Sequence, residues 1–181
     1  MSWLAREKTL KLVLLGDGGV GKTSIIKAFV NKGSFQADYK LTIGIDISTK
    51  AITLPSGENA IISIHDIAGQ KRFESIRKVF YRGTHLAMLV YDVTREITLK
   101  NLERIWLPEL ESMVKTTDPL IKLLIGNKND LDELRMITPS EGERASKRLG
   151  CITHIETSAK SGTNISNCFI LLTEQYLKQS R

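Results

Sequence analysis

The chain has 181 residues and only two cysteines, Cys151 and Cys168, which lie far from metal-ligand spacing and beside apolar residues. That excludes a disulfide-stapled scaffold and a thiolate metal centre, and it predicts buried free thiols in a reducing compartment. Aromatic residues make up 6% of the chain, and none are interleaved with a basic segment. Cations run no longer than pairs such as Lys71-Arg72 and Lys147-Arg148, so the net charge of +6 reads as a solvated basic surface. A single-strand nucleic-acid binder would need a stacking platform that is missing here. No apolar run approaches membrane-spanning length, and the one from Leu10 to Leu15 is far too short. No signal-peptide cleavage pattern follows the start, residue 2 is not the glycine that myristoylation needs, and no cysteine near Arg181 could accept a prenyl group. The expectation is a cytoplasmic protein with no stable membrane binding by these residues alone, brought to a membrane by a partner or by a tail missing from the sequence.

With 41% hydrophobic and 25% charged residues, the length suits one domain that buries its core without cross-links. Short apolar runs at 10–16, 42–54, 59–66, 85–93, 119–126 and 151–156 predict strands. Several are continuous rather than alternating, as strands covered on both faces are. The turn-rich PSGEN, 55–59, joins the second and third as a hairpin. Helical patterns fill 22–32, 72–81, 97–115, 138–149 and 164–178. The fourth starts on a capping box, Thr138 with Glu141, has Pro139 at its first position and stops at Gly150. Strands alternating with crossover helices predict an α/β fold: an open six-stranded, mostly parallel sheet with one antiparallel edge strand and helices on both faces.

The stretch GDGGVGKTS runs from the end of the first strand into the first helix, and Gly16, Gly21, Lys22 and Thr23 match G-x-x-x-x-G-K-[ST]. Glycines let the backbone wrap an anion, so the N–H groups of Gly18, Gly19, Val20, Gly21, Lys22, Thr23 and Ser24 can cradle phosphates at a helix amino terminus. Lys22 would reach the outer phosphates, and the Thr23 hydroxyl would ligate Mg2+. After the fifth run comes GNKND, 126–130, and after the sixth ETSAK, 156–160. Both fall at the carboxyl edge of a parallel sheet, beside the cradle. The Asp130 carboxylate could accept from N1–H and N2–H₂ of guanine, a donor pair adenine lacks. Asn127 and Lys128 would tie loops together and cover a base face, with Ser158, Ala159 and Lys160 completing the base site and the Ala159 N–H meeting guanine O6.

On these motifs, and on YKLTIGIDI, IHDIAGQKRFESI, FYRGT and LVYDVT, the chain resembles a Ras-superfamily small GTPase from about residue 9 to 178, nearest to the Rab branch. The resemblance implies the P-loop NTPase fold of a small G-domain, Mg2+ as cofactor, and GTP and GDP as substrate and product. It implies that Thr42 meets Mg2+ and the γ-phosphate, that Phe35 packs against guanine, and that Asp66 holds Mg2+ through water. By the same likeness Gly69 donates its N–H to the γ-phosphate, and Gln70 orients the attacking water. An exchange factor, a GTPase activator and effectors would dock on 35–47 and 66–80. The Rab pattern has tryptophan, phenylalanine and tyrosine where this chain has His65, Ile47 and Phe80, which alters the aromatic patch that effectors read, and glutamate where it has Lys71. His65 is expected half-exposed at a strand end. Two rival readings are a GTP-loaded scaffold with negligible hydrolysis and an adenine-nucleotide enzyme on the same cradle. Intact Gln70, Thr42 and Gly69 weigh against the first and Asp130 against the second.

Overall fold

The computed structural model describes residues 8–31, 42–69, 74–114 and 120–180. Its sheet has six strands in the order β2-β3-β1-β4-β5-β6, with β1 Lys8–Leu15, β2 Ile45–Thr53, β3 Asn59–Ile67, β4 Leu86–Asp92, β5 Ile121–Asn127 and β6 His154–Thr157. Only β2 runs antiparallel, pairing with β3 from Ile45↔Ile67 to Thr53↔Asn59. The hairpin closes through the Leu54 N–H on the Glu58 carbonyl at 2.8 Å, at the turn expected from PSGEN. β1 is flanked by β3 on one side and β4 on the other, both parallel to it. The chain therefore reverses its direction of travel across the sheet at β1, the place where open α/β sheets bind ligands.

Both faces of the sheet are covered. Leu10, Leu12 and Leu14 of β1 join Ile25, Ile26 and Phe29 of α1 (Lys22–Val30) and Phe169, Leu172 and Tyr176 of α6 (Ile165–Gln179) in one cluster. Val13 and Leu15 face the other way, toward a cluster with Leu102, Trp106 and Leu110 from the long helical stretch and Ala145 and Leu149 at α5 (Pro139–Arg148). The alternation of β1 side chains between two apolar layers is the period-2 geometry of a strand. β4 is buried at every residue, which explains its unbroken apolar run.

Two elements depart from the sequence pattern. β6 begins at His154, three residues later than expected, and the Cys151 N–H is still given to the Ser146 carbonyl of α5. The single helix expected over 97–115 is three pieces: α3 (Glu96–Asn101), a π-helical turn (Leu102–Trp106) and α4 (Leu107–Met113). Pro108 supplies the reason: it has no N–H to give the Arg104 carbonyl, and its ring crowds that carbonyl. The wider turn sends the Leu107 N–H to the Leu102 carbonyl, five residues back. The remaining helix, α2, spans Glu74–Phe80.

The capping box at α5 is formed as expected: the Glu141 N–H donates to Thr138 Oγ1 at 3.3 Å, and the Thr138 N–H donates to Glu141 Oε2 at 2.8 Å. Thr138→Ala should therefore lower stability by about 1 kcal/mol, or about 2–4 °C in a thermal melt. An unchanged melt would mean that α5 does not depend on its cap.

Candidate functional site

The topology delivers six segments to one edge of the sheet. These are the loops after β1, β3, β4, β5 and β6, and the start of the antiparallel β2, whose Asp46 pairs with Asp66. The loop after β1 wraps as the glycine pattern demands. Gly21 has φ 101°, in the left-handed region, and a side chain there would meet the Asn127 amide at 2.2 Å. Gly69 is constrained from outside: a Cβ would lie 2.7 Å from the Gly16 carbonyl oxygen and 2.8 Å from the Gly18 nitrogen. A residue without a side chain is what lets the loop after β3 close onto the cradle.

Lys22 is 7% exposed and donates to the carbonyls of Gly16 at 2.6 Å and Asp17 at 2.9 Å. Burial lowers its pKa to about 8, against the opposing pull of the Asp66 and Asp17 carboxylates. An anion placed in the cradle would raise that pKa again and be bound by the charged form. Beside the lysine, three oxygen-bearing side chains converge. The Thr23 hydroxyl hydrogen-bonds Asp66 Oδ2, lies 2.8 Å from the Thr42 hydroxyl, and Thr42 in turn donates to Asp66 Oδ2 at 3.3 Å. Asp66 is 3% exposed, its other oxygen, Oδ1, is buried without a partner among the described residues, and burial raises its pKa. A buried carboxylate that wants compensation, flanked by two hydroxyls, is a hard-oxygen donor set of the kind Mg2+ takes, with phosphate and water completing the shell. The residues fit the ion.

On the other side of the cradle, the Asn127 amide Nδ2 donates to the Val20 carbonyl at 2.9 Å, while its Oδ1 accepts from Thr157 Oγ1 at 3.0 Å and the Ala159 N–H at 3.3 Å. One side chain thus laces the loops after β1, β5 and β6, the tying role expected of it. The Ala159 N–H, expected to face a base, is given to Asn127 here. Asp130 is exposed, with Oδ1 held by the Ser158 hydroxyl at 2.6 Å. Lys160 is exposed, and Lys128, at positive φ, pairs with Asp92 at 2.7 Å. Among the sequence-chosen residues, Phe35 and Gln70 lie outside the described residues, as do Lys71 and Arg72.

His65 departs from expectation. It is 7% exposed rather than half-exposed, and burial, followed by the charge of Lys11, lowers its pKa to about 4. Its Nε2 lies 3.2 Å from the Ser63 hydroxyl, and its ring is 6.5 Å from that of Phe80.

Sequence reasoning missed five residues at the site, Asp92, Arg95, Asp17, Asn101 and Trp106. Asp92 is 1% exposed and anchors Lys128, so it carries the base-side loop. Arg95 reaches the cradle rim. Asp17 is clamped by the Asn101 amide and the Trp106 indole N–H, each at 2.7 Å. In an α-helix, positions five apart point roughly 140° from each other; the wider winding of the π turn brings both onto the side that faces the cradle. The helix-breaking Pro108 was the available signal.

Comparison with known proteins agrees with this geometry. The sequence profile of the Ras family matches residues 11–178. The chain is 42% identical over 170 residues to the Ras-related protein YPT3 of Nicotiana plumbaginifolia, covering 92% of this chain and 74% of that protein. It is 40% identical over 168 residues to the Ras-related protein RIC2 of Oryza sativa, with the same two coverages. To the Ras-related protein RABC2a of Arabidopsis thaliana it is 37% identical over 161 residues, covering 89% of this chain and 74% of that protein.

Proposed function

Since the chain belongs to the Ras family of small GTPases, on its Rab-like side, we propose that it is a magnesium-dependent guanine-nucleotide switch acting in regulation of the membrane-traffic type. The observation that carries the reading is the convergence of the Thr23 and Thr42 hydroxyls on Asp66 Oδ2, with the buried Oδ1 left without a partner among the described residues, next to the cradle lysine. In this reading Lys22 and the loop N–H groups of Gly18, Gly19, Val20 and Gly21, with those of Thr23 and Ser24, hold the phosphates. Thr23, Thr42 and Asp66 would hold Mg2+, which would supply positive charge to offset that of the phosphates. Asp130 reads guanine, and Asn127, Lys128, Ser158, Ala159 and Lys160 shape its pocket with Phe35. Gln70 orients the water, and Gly69 lets the loop after β3 follow the γ-phosphate.

Thr42, three residues ahead of β2, hydrogen-bonds Asp66 near the end of β3, and both would hold the metal. Loss of the γ-phosphate would therefore be felt in both flanking segments, 35–47 and 66–80, where an exchange factor, an activator and effectors are proposed to dock. Exposed apolar side chains support that assignment: Ile43 and Ile47 lead into and along β2, and Val79 lies on α2. Ile47 sits directly across from His65. The partner surface is thus aliphatic, with the imidazole recessed beneath it.

Competition between GTP and ATP for a fluorescent nucleotide is the first test, and equal competition would defeat the reading. Single-turnover hydrolysis then separates a switch from a GTP-loaded scaffold. Gln70→Leu should retain GTP binding and slow hydrolysis by roughly tenfold or more, because leucine fills the space without orienting water. Thr23→Asn should weaken magnesium-dependent GTP binding by a similar factor, roughly tenfold or more. Identical phenotypes for the two variants would contradict this division of roles.

A further inference from the structure

We propose that Arg95 is a phosphate-contacting residue of the nucleotide site, a cation supplied by the chain itself at the rim of the cradle. Its root is rigid. Arg95 follows β4 at the start of α3, its N–H bonds the Asp92 carbonyl at 3.0 Å, and its own carbonyl accepts from the Thr98 hydroxyl at 2.7 Å. Asp92 in turn accepts from the Thr94 N–H and hydroxyl at 2.9 and 2.7 Å, and the Asp92 N–H donates to Thr98 Oγ1 at 3.0 Å. Thr98 is fully buried and Asp92 nearly so, which pins the turn from which the side chain springs.

The tip is held differently. The guanidinium touches the cradle through one long hydrogen bond, Nη2 to the Gly18 carbonyl at 3.4 Å, and Nη1 lies 3.9 Å from the point where a Gly19 side chain would begin. Its ion pair with Asp92 is 4.0 Å, at the outer limit of such contacts, and the side chain is 44% exposed. Asp92 spends its carboxylate mainly on Lys128, at 2.7 Å, and on Thr94. A guanidinium offers five donors in a planar fork suited to phosphate. Among the described residues nearly all of them are uncommitted, on a fixed base, beside a loop shaped to bind an anion. Rotation of the side chain away from the Gly18 carbonyl would present this fork to an outer phosphate. There it would add charge where the transferred group develops it, the contribution that arginine makes in phosphoryl transfer. No arginine lies in the 35–42 segment to do so.

This inference rests on the guanine-nucleotide reading above, and the experiment separates the two. Wild-type chain, Arg95→Ala and Arg95→Lys are loaded with GDP or with a non-hydrolysable GTP analogue in Mg2+. Release of each is followed by fluorescence, and GTP hydrolysis is followed in single turnover. Arg95→Ala should speed release of the triphosphate analogue and slow hydrolysis, each by roughly tenfold, while GDP release changes by less than about twofold. Arg95→Lys should recover part of both effects, since it keeps the charge and loses the fork. Equal acceleration of both nucleotides would show that Arg95 only braces the loop through Gly18, and would overturn the proposal. So would unchanged release and hydrolysis in a variant whose melting temperature is also unchanged. A wild-type chain that holds no guanine nucleotide would overturn the parent reading, and this one with it.

Discussion

Asp130→Asn is expected to shift the base preference from guanine toward xanthine. In the structure one carboxylate oxygen, Oδ1, is fixed by the Ser158 hydroxyl at 2.6 Å, which orients the group without consuming the second oxygen. Ser158 is itself fully buried and accepts the Ser161 N–H at 3.1 Å, so the orientation comes from the loop after β6 and not from solvent. An asparagine can keep the Ser158 contact through its carbonyl oxygen, and it then presents an NH₂ where the carboxylate accepted. Guanine N2–H₂ would face a donor, whereas the carbonyl at C2 of xanthine would find one. The lost charged hydrogen bond and the new mismatch together should move the ratio of affinities by about 3 kcal/mol, or roughly a hundredfold. Competition of GTP and XTP for a fluorescent nucleotide on the variant is the measurement. A retained preference for GTP would remove Asp130 from base reading, and Lys160, on the same rim, would be the next residue to examine.

That prediction needed only the sequence, and the reason is local. The cradle, NKND and SAK motifs each combine a strand end with the residues of one short loop, so their chemistry is written in adjacent letters. The same holds for the hairpin at PSGEN and for the capping box at Thr138, both formed as their spacing implied. What escaped is non-local. The Asp17 clamp joins residues 84 and 89 positions apart, and it depends on a π turn whose only local trace is Pro108. Arg95 meets Gly18 across 77 positions, through the pairing of β1 with β4. His65 was misplaced because alternation along β3 says which face a side chain takes, and leaves open whether β2 and α2 cover that face. Asp92 reads in the sequence as the end of an apolar run, and its partner Lys128 lies a whole strand away.

A second large effect is expected from one of these long-range contacts. Glu109 of α4 receives the guanidinium of Arg77 in a two-pronged arrangement, Nε to Oε1 and Nη2 to Oε2, both at 2.9 Å, and accepts the Tyr81 hydroxyl at 3.0 Å. The side chains of the ion pair are 3% and 7% exposed. Arg77 also lies 4.7 Å over the Trp106 ring, whose N–H holds Asp17 in the cradle. This set of contacts docks α2, which follows Gln70 in the sequence, against the π turn and through it against the phosphate site. Glu109→Ala would leave a buried guanidinium without its carboxylate and a buried phenol without its acceptor. Breaking one side of such a pair costs about 3–5 kcal/mol, or roughly 10 °C in melting temperature for a chain of this size. The expected result in a urea or thermal melt, with GDP and Mg2+ held at one concentration so that ligand binding does not shift the comparison, is a loss of that size. The double variant Arg77→Met, Glu109→Met supplies the control. With both charges gone and apolar volume in their place, most of the loss should disappear, because the desolvation of an ion pair disappears with the pair. If the single variant melts like wild type, α2 is not held by this contact; if the double variant is as unstable as the single, packing rather than unpaired charge accounts for the loss.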